Sequence, residues 1–473
     1  MSAIGTVGAV VPPQSISGDR GIGDAYGGCK VSVHDVIGVG FGPANIALAI
    51  ALEELYPDLT VEFLERRPGP AWQANQLLRG VDIQHSPYRD FVTPRNPRSY
   101  YSFTNFLHEH DRLLKHLNAD FHFPLRLEYA EYITWAAKAL GDVCRYDSPV
   151  TEIVTDEEAR CFEVLTGDGT QHRARAVVLA PGRTPLIPDT VHSCAVVADR
   201  LFHASDYLSR IVDLRLDAPH SFVIVGGSQS AIEIILDLYH RFPNCTVENI
   251  TPSLGYGLKD TSPFTEQAFL PWFTDYYFSL EPPARRRVDA RLRKSNYGVA
   301  DADVIYELTR LIYEDDLRGR SRVIMHSFSH LTGAHAAGSR VSVDWADHNT
   351  GHFFRGEFDY GILATGYRDL GPGDRQELVP PLLGSLASSL RRDREGCVDV
   401  RRDYSVVDLD VRSLPGPLFL NGLCEGSHGL GDSGSFSLLS LRAETIANGL
   451  YSRLFACTET PVRLGVPHPG RER

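Results

Sequence analysis

Two glycine turns in this chain have the residue types and spacing needed to hold the phosphates of a dinucleotide. The first is Gly38-x-Gly40-x-Gly42-Pro43-Ala44-Asn45. In such a turn the first glycine permits the bend, the second lets the backbone approach a pyrophosphate, and the helix that follows offers its N-terminal amides to the anion. Pro43 departs from the usual third glycine but suits a first helical turn, where a missing N–H costs nothing. Glu65 follows about twenty residues after the helix begins, where a carboxylate accepts hydrogen bonds from an adenosine ribose. The second turn is Gly226-Gly227-Ser228-Gln229-Ser230, with serine, still small, at the second glycine position. The pair points to FAD on the first turn and NADPH on the second. A preference for NADPH over NADH needs a cation near the end of the second unit's second strand, and Lys259 is the one close by in sequence.

Both turns need a strand before them and a helix after them. Val33–Val39 is apolar enough for a buried strand, a helix follows from Pro43, and residues 60–65 supply the next strand. The order recurs at Ser221-Phe-Val-Ile-Val225, with a helix through about His240. Two apolar segments exit in matched fashion, Ala176–Ala180 into Pro181-Gly182 and residues 358–364 into Thr365-Gly366. The expected fold is therefore α/β, with two Rossmann-like domains, the second inserted in the first, plus a small helical substrate region. We place the FAD domain at 31–204 and 366–455, and the NADPH domain at 205–365 with a substrate-site segment at about 258–300. A flexible arm spans 1–30 and a tail spans 456–473.

Composition narrows the partners. The chain has 473 residues, 60 acidic and 47 basic, for a net charge of −13 without long like-charge blocks. That argues against nucleic acid or an anionic membrane and for a small-molecule substrate. The eight cysteines are scattered and contain no Cys-x-x-Cys pair, so neither a disulfide framework nor a metal site is expected, and a reducing cytoplasm is the natural compartment. No signal peptide or membrane-length apolar run is present. Two dinucleotide folds without a redox cysteine pair leave O₂ as the expected electron acceptor. A flavin hydroperoxide would then do the chemistry, with no side chain assigned a catalytic role; the protein's task is to position a nucleophile and exclude water.

The segment Asp35-Val-Ile-Gly-Val-Gly-Phe-Gly-Pro-Ala-Asn45 closely resembles the opening of the microbial ornithine and lysine N-hydroxylating monooxygenases of siderophore biosynthesis. Further segments agree in order: Gln84-His-Ser-Pro-Tyr-Arg-Asp90, Phe103–His108, Ser262-Pro-Phe264, Ser295-Asn-Tyr297, Ala364-Thr-Gly-Tyr367, His428-Gly-Leu-Gly-Asp432 and Ser437-Leu-Leu-Ser440. The resemblance implies an FAD- and NADPH-dependent homo-oligomer, often a tetramer, that retains NADP⁺ and N-hydroxylates a primary amine. Carried over residue by residue, Gly38 to Asn45, Glu65, Trp72, Gln84, Ser437, Leu438 and Leu439 would line the flavin, with His85 beside them. Gly226 to Ser230, Asn296 and Tyr297 would hold the nicotinamide nucleotide, and Asn296 and Ser440 would also approach the substrate.

Two positions depart from the family pattern. Arg89 stands where a lysine usually meets the substrate carboxylate, and Glu266 replaces the asparagine after Ser-Pro-Phe-x. Arginine still grips a carboxylate, but with a longer planar head. Glu266 admits three readings: it pairs with Arg89, it binds the ammonium of a diamine or basic amino acid, or it is displaced from the site. Ornithine, lysine, putrescine and cadaverine all stay open, with aspartate a further alternative that Glu266 opposes. His85 and His428 are read as structural ahead of general bases. The competing classes are a carbon- or sulfur-oxidising flavin monooxygenase and a non-catalytic flavoprotein.

Overall fold

The computed structural model describes residues 33–191, 195–410 and 413–455. The arm at 1–30 and the tail at 456–473 lie outside the described residues. Val33–Val39 is a central strand whose last four residues are all buried, so both faces of its sheet are covered. From one edge the order is Cys144–Arg145, Val61–Leu64, Val33–Val39, Gln171–Leu179, Cys161–Thr166 and Val150–Asp156. A hairpin turns after Thr166, with Cys161–Thr166 antiparallel to the first half of Gln171–Leu179. The second half of that strand instead pairs in parallel with Leu418–Leu420, from far down the chain.

Pro43–Leu55 is a helix with proline in its first turn and every residue from Asn45 to Leu52 buried. Such an all-round apolar helix has to be enclosed. The C-terminal helix Leu439–Phe455 encloses it in part: Tyr56, just past its end, stacks on Tyr451 at 4.3 Å and donates to Asn448 Oδ1 at 2.6 Å.

The second sheet is wholly parallel, in the order Val323–His326, Thr246–Ile250, Ser221–Val225, Tyr360–Leu363, Leu201–His203. Its strand Leu201–His203 lies ahead of the expected start at residue 205, because its backbone pairs with Tyr360–Leu363. Gln229–Arg241 is the helix after the second turn. A three-stranded antiparallel sheet, Ser329–Ala337, Arg340–Asp347 and Phe353–Phe358, packs against the second parallel sheet. The chain thus leaves the first sheet, builds the second and returns through Leu418–Leu420, which is an insertion of one Rossmann-like fold in another. The helices Pro271–Ser279 and Pro282–Leu292 form the helical region, around a small core of Ala268, Phe269, Phe273, Tyr277 and Leu430. Among the described residues no helix is long and apolar enough to cross a membrane.

Candidate active site

The first turn opens onto a cleft of about 940 Å³. Gly40 has φ +84°, and a Cβ there would overlap the Ala180 carbonyl, so only glycine fits where the turn crosses the exit strand. Gly38 is similarly closed by the Phe63 ring beneath it. Gly42 is different: a Cβ there would meet nothing within 4 Å, and the helix start beside it has no side-chain cap. Its amides face open space, the cradle an anionic pyrophosphate requires. Glu65 closes the neighbouring strand, accepting Phe41 N at 2.8 Å and Arg67 N at 3.0 Å.

Of the residues expected on the flavin, Gly40, Gly42, Pro43, Ala44, Glu65, Trp72, Gln84, His85 and Leu439 line this cleft. Gly38, Asn45, Ser437 and Leu438 do not. Asn45 works from beneath, donating to Gly40 O at 2.7 Å and accepting from Asn421 at 3.1 Å. Asn421 also donates to Ala44 O, and Arg442 ties it to Asp432, so the turn is braced by residues almost four hundred positions away. The sequence reading missed Asn421 and Arg442; the apolar strand Leu418–Leu420 ending at Asn421 was the available signal.

An aromatic wall flanks the cleft. Phe436 lies 5.7 Å from Trp72, 5.3 Å from His85 and 5.1 Å from Tyr129 between ring centroids. Burial pulls the His85 pKa down to about 4, so the ring is neutral. Its Nδ1 sits 3.0 Å from the Ser86 carbonyl, which only accepts, so the proton is on Nδ1 and Nε2 has no partner. His428 is also held near 4 by burial, stacked on Tyr404 and bonded to Ser427 and Arg402 O, a structural role.

The second turn repeats the first in outline. A Cβ on Gly226 would overlap the Ala364 carbonyl, and Asn249 donates to Ile224 O and Gly226 O at 3.0 and 2.9 Å, much as Asn45 serves the first turn. The helix from Gln229 likewise has no side-chain cap. Gln229 bonds Glu233 at 3.0 Å and accepts Asp301 N at 2.8 Å. Buried Glu233 receives a two-pronged bond from buried Arg126, 2.9 Å on each arm, and Asp301 contacts Gln84. This chain of polar contacts joins the second turn to the first cleft. Lys259 sits near enough to His85 to depress its pKa further, behind burial and Arg89, and its ammonium has no partner among the described residues.

Near His85, but not among the residues that line the cleft, Arg89 Nη1 is 3.1 Å from Glu266 Oε2 and donates to Ser437 Oγ at 3.0 Å. The pairing reading of Glu266 is therefore the observed arrangement. Among the described residues Arg89 Nε and Nη2 and Glu266 Oε1 have no partner, and both side chains are about a quarter to a third exposed, 30% and 26%. Ser440 is fully buried with an unpartnered Oγ, and the Asn296 side chain is half-buried without a bond. Neither lines the cleft.

One half-buried carboxylate was not foreseen. Glu425 Oε2 accepts from Tyr297 Oη at 2.7 Å and Ser433 Oγ at 2.8 Å, while Arg183 reaches both Tyr297 Oη and Asp369 Oδ1 at 3.3 Å. Arg183 and Asp369 line the cleft.

The L-lysine 6-monooxygenase/L-ornithine 5-monooxygenase family model matches residues 32–369. The L-ornithine N(5)-monooxygenase of Pseudomonas aeruginosa is 34% identical, over 89% of this chain and 94% of that protein. The ornithine N-hydroxylase of Kutzneria sp. 744, solved with reduced FAD, NADP⁺ and L-ornithine, superposes with a TM-score of 0.82 at 34% identity, over 89% of this chain and all of that one. The L-lysine 6-monooxygenase of Pseudomonas syringae gives 0.76 at 33% identity, over 89% of this chain and 99% of that one. With an open amide cradle at Gly42, a second glycine turn and no cysteine pair beside them, the chain belongs to the L-lysine 6-monooxygenase/L-ornithine 5-monooxygenase family, FAD- and NADPH-dependent enzymes that hydroxylate an amine nitrogen.

Proposed function

We propose that this enzyme hydroxylates the side-chain amine of a basic α-amino acid, ornithine or lysine, with Arg89 and Glu266 together reading the head group. The observation that carries the reading is the half-used ion pair: Arg89 keeps Nε and Nη2 free and Glu266 keeps Oε1 free. Those free edges complement a zwitterion, the guanidinium taking the α-carboxylate and the carboxylate taking the α-ammonium. A diamine would satisfy Glu266 alone and leave the guanidinium edge without an anion. An acidic amino acid would set a second carboxylate against Glu266.

In this reading FAD occupies the cleft under the first turn, and NADPH binds at the second turn with Asn296 and Tyr297. The FAD portion comprises 31–200 and 366–455, and the nicotinamide portion 201–365, which takes in the strand Leu201–His203. Bound FAD, once reduced, supplies activated oxygen from O₂. The chain's own residues hold the amine, exclude water with the Trp72, Phe436 and Tyr129 wall, and leave no charged imidazole in the cleft, since His85 is neutral. Desolvation on entry favours the neutral, nucleophilic amine. Exposed Trp272 and Tyr276 on Pro271–Ser279 support a homo-oligomer, and the scattered cysteines without a Cys-x-x-Cys pair support a cytoplasmic enzyme. The hydroxylamine product suits siderophore or other N–O and N–N natural-product assembly.

The test is kcat/KM for hydroxylamine formation with ornithine, lysine, putrescine and cadaverine. Loss of a charge-assisted contact costs about 1.5–3 kcal/mol, so at least about a tenfold preference for an amino acid over its decarboxylated counterpart is expected. Equal or better turnover of the diamines would overturn the reading.

A further inference from the structure

One cluster beside the cleft holds more negative charge than its own cation neutralises. Around Glu425 stand one guanidinium, Arg183, and a second carboxylate, Asp369; Tyr297 and Ser433 contribute only hydroxyl donors. The other titratable neighbours are Tyr277, whose hydroxyl is committed to Asp289, and Tyr367, whose ring lies 5.2 Å beneath the Arg183 guanidinium. With both carboxylates ionised, this cluster carries one uncompensated negative charge. Unpaired charge away from water is costly, and a proton on Glu425 removes it. Burial, and then Asp369, push the Glu425 carboxyl up to about 8, against the opposing pull of Arg183 and the two hydroxyls. Among the described residues Glu425 Oε1 has no partner, so it is the oxygen that can carry the proton.

A titrating group of this kind answers to any charge placed beside Tyr297. The nicotinamide ring is neutral in NADPH and cationic in NADP⁺. We propose that Glu425 carries a proton in the enzyme free of NADP⁺, and that this proton leaves when the cationic ring of NADP⁺ binds beside Tyr297, so that NADP⁺ retention is coupled to proton release. The step is a simple ionisation: the Glu425 O–H bond breaks, the proton passes to solvent, and the electron pair stays on the carboxylate facing the ring. This rests on NADPH binding with Tyr297, as proposed above, and takes the part that Tyr297 meets to be the nicotinamide ring. Glu425 is then a positioning residue, acting on the ring's charge and through the Tyr297 hydroxyl. Linkage is reciprocal, so NADP⁺ affinity should rise with pH, by up to about tenfold per unit on the acid side of the titration.

The experiment is calorimetric titration of the FAD-loaded enzyme at pH 7 in buffers of different ionisation enthalpy, which counts protons released. NADP⁺ is compared with 2′,5′-ADP, which carries the same adenosine phosphates without the ring. The wild type is expected to release close to one more proton with NADP⁺, and Glu425→Gln to lose that excess. Asp369→Asn, a second variant in case the first fails to fold, should lose it too, because Glu425 then ionises before the ligand arrives. Equal release with both ligands, or an excess that survives in either variant, overturns the proposal. Tyr297→Phe separates the underlying reading: unchanged NADP⁺ affinity there means Tyr297 does not meet the ring, whereas weakened affinity with no excess proton in the wild type leaves the contact standing and removes only the proton coupling.

Discussion

The two glycine turns are built on one plan and braced differently. In each, a glycine passes so close to the carbonyl of the matching exit strand, Ala180 or Ala364, that no side chain fits, and an asparagine, Asn45 or Asn249, holds the turn's own carbonyls. The first is tied to the far end of the chain through Asn421, Arg442 and Asp432, all deeply buried. The second is tied across to the first cleft through Gln229, Glu233 and Arg126. The difference teaches that the first turn is fixed within its own fold, whereas the geometry of the second depends on a polar bridge to its neighbour.

Replacing the crossing glycines should break the comparison most severely. Gly40→Ala and Gly226→Ala each force a Cβ into a backbone carbonyl at a φ that alanine resists, worth about 3 kcal/mol or more. Gly40→Ala should purify without flavin absorbance. Gly226→Ala should keep its FAD but lose about 100-fold in NADPH-driven flavin reduction, and equal loss of FAD from both would show that the turns are not separable.

The bridge comes next. Arg126→Met strands the Glu233 carboxylate and should cost about 3–5 kcal/mol in denaturant unfolding, while Arg126→Met with Glu233→Met recovers much of it. A single variant as stable as the wild type would mean that the bridge contributes little.

Acid sharpens the contrast further. His428 is neutral in the folded state, with its pKa lowered to about 4 from an ordinary 6.5. Its contribution to stability is therefore present above pH 6.5 and lost as pH falls through 4, by up to about 3 kcal/mol. His428→Phe should flatten the fall in Tm across that window by the equivalent of one proton; an unchanged slope would show that His428 does not titrate there.

The smallest effect concerns the substrate. Arg89→Met should raise KM for the amino acid by about 10–100-fold with kcat little changed, the mark of binding shared by ground and transition states. Putrescine turnover should hardly change, and a matching rise in its KM would argue that Arg89 shapes the pocket rather than reads a carboxylate.

Much of this architecture is visible in local sequence. The spacing from Gly38 to Glu65 states a strand, turn, helix and strand within thirty residues, and the second turn survives its serine because the flanking apolar runs are intact. The matched exits at Ala180 and Ala364 announce the insertion. Contacts between distant polar side chains are another matter. Nothing near Glu233 names Arg126, and Arg89 and Glu266 are 177 positions apart, so sequence could offer pairing only as one of three arrangements. Glu425 was invisible for the same reason: a carboxylate acquires its chemistry from the Asp369 and Arg183 that folding sets beside it.

The central claim is most directly tested by measuring hydroxylamine formed per NADPH consumed, using FAD-loaded enzyme with ornithine, lysine, putrescine, cadaverine and aspartate in turn. The account predicts near one-to-one coupling with ornithine or lysine, and slow, uncoupled NADPH consumption with the others. Coupled product from a diamine or aspartate, or no hydroxylamine from any of the five, would contradict it.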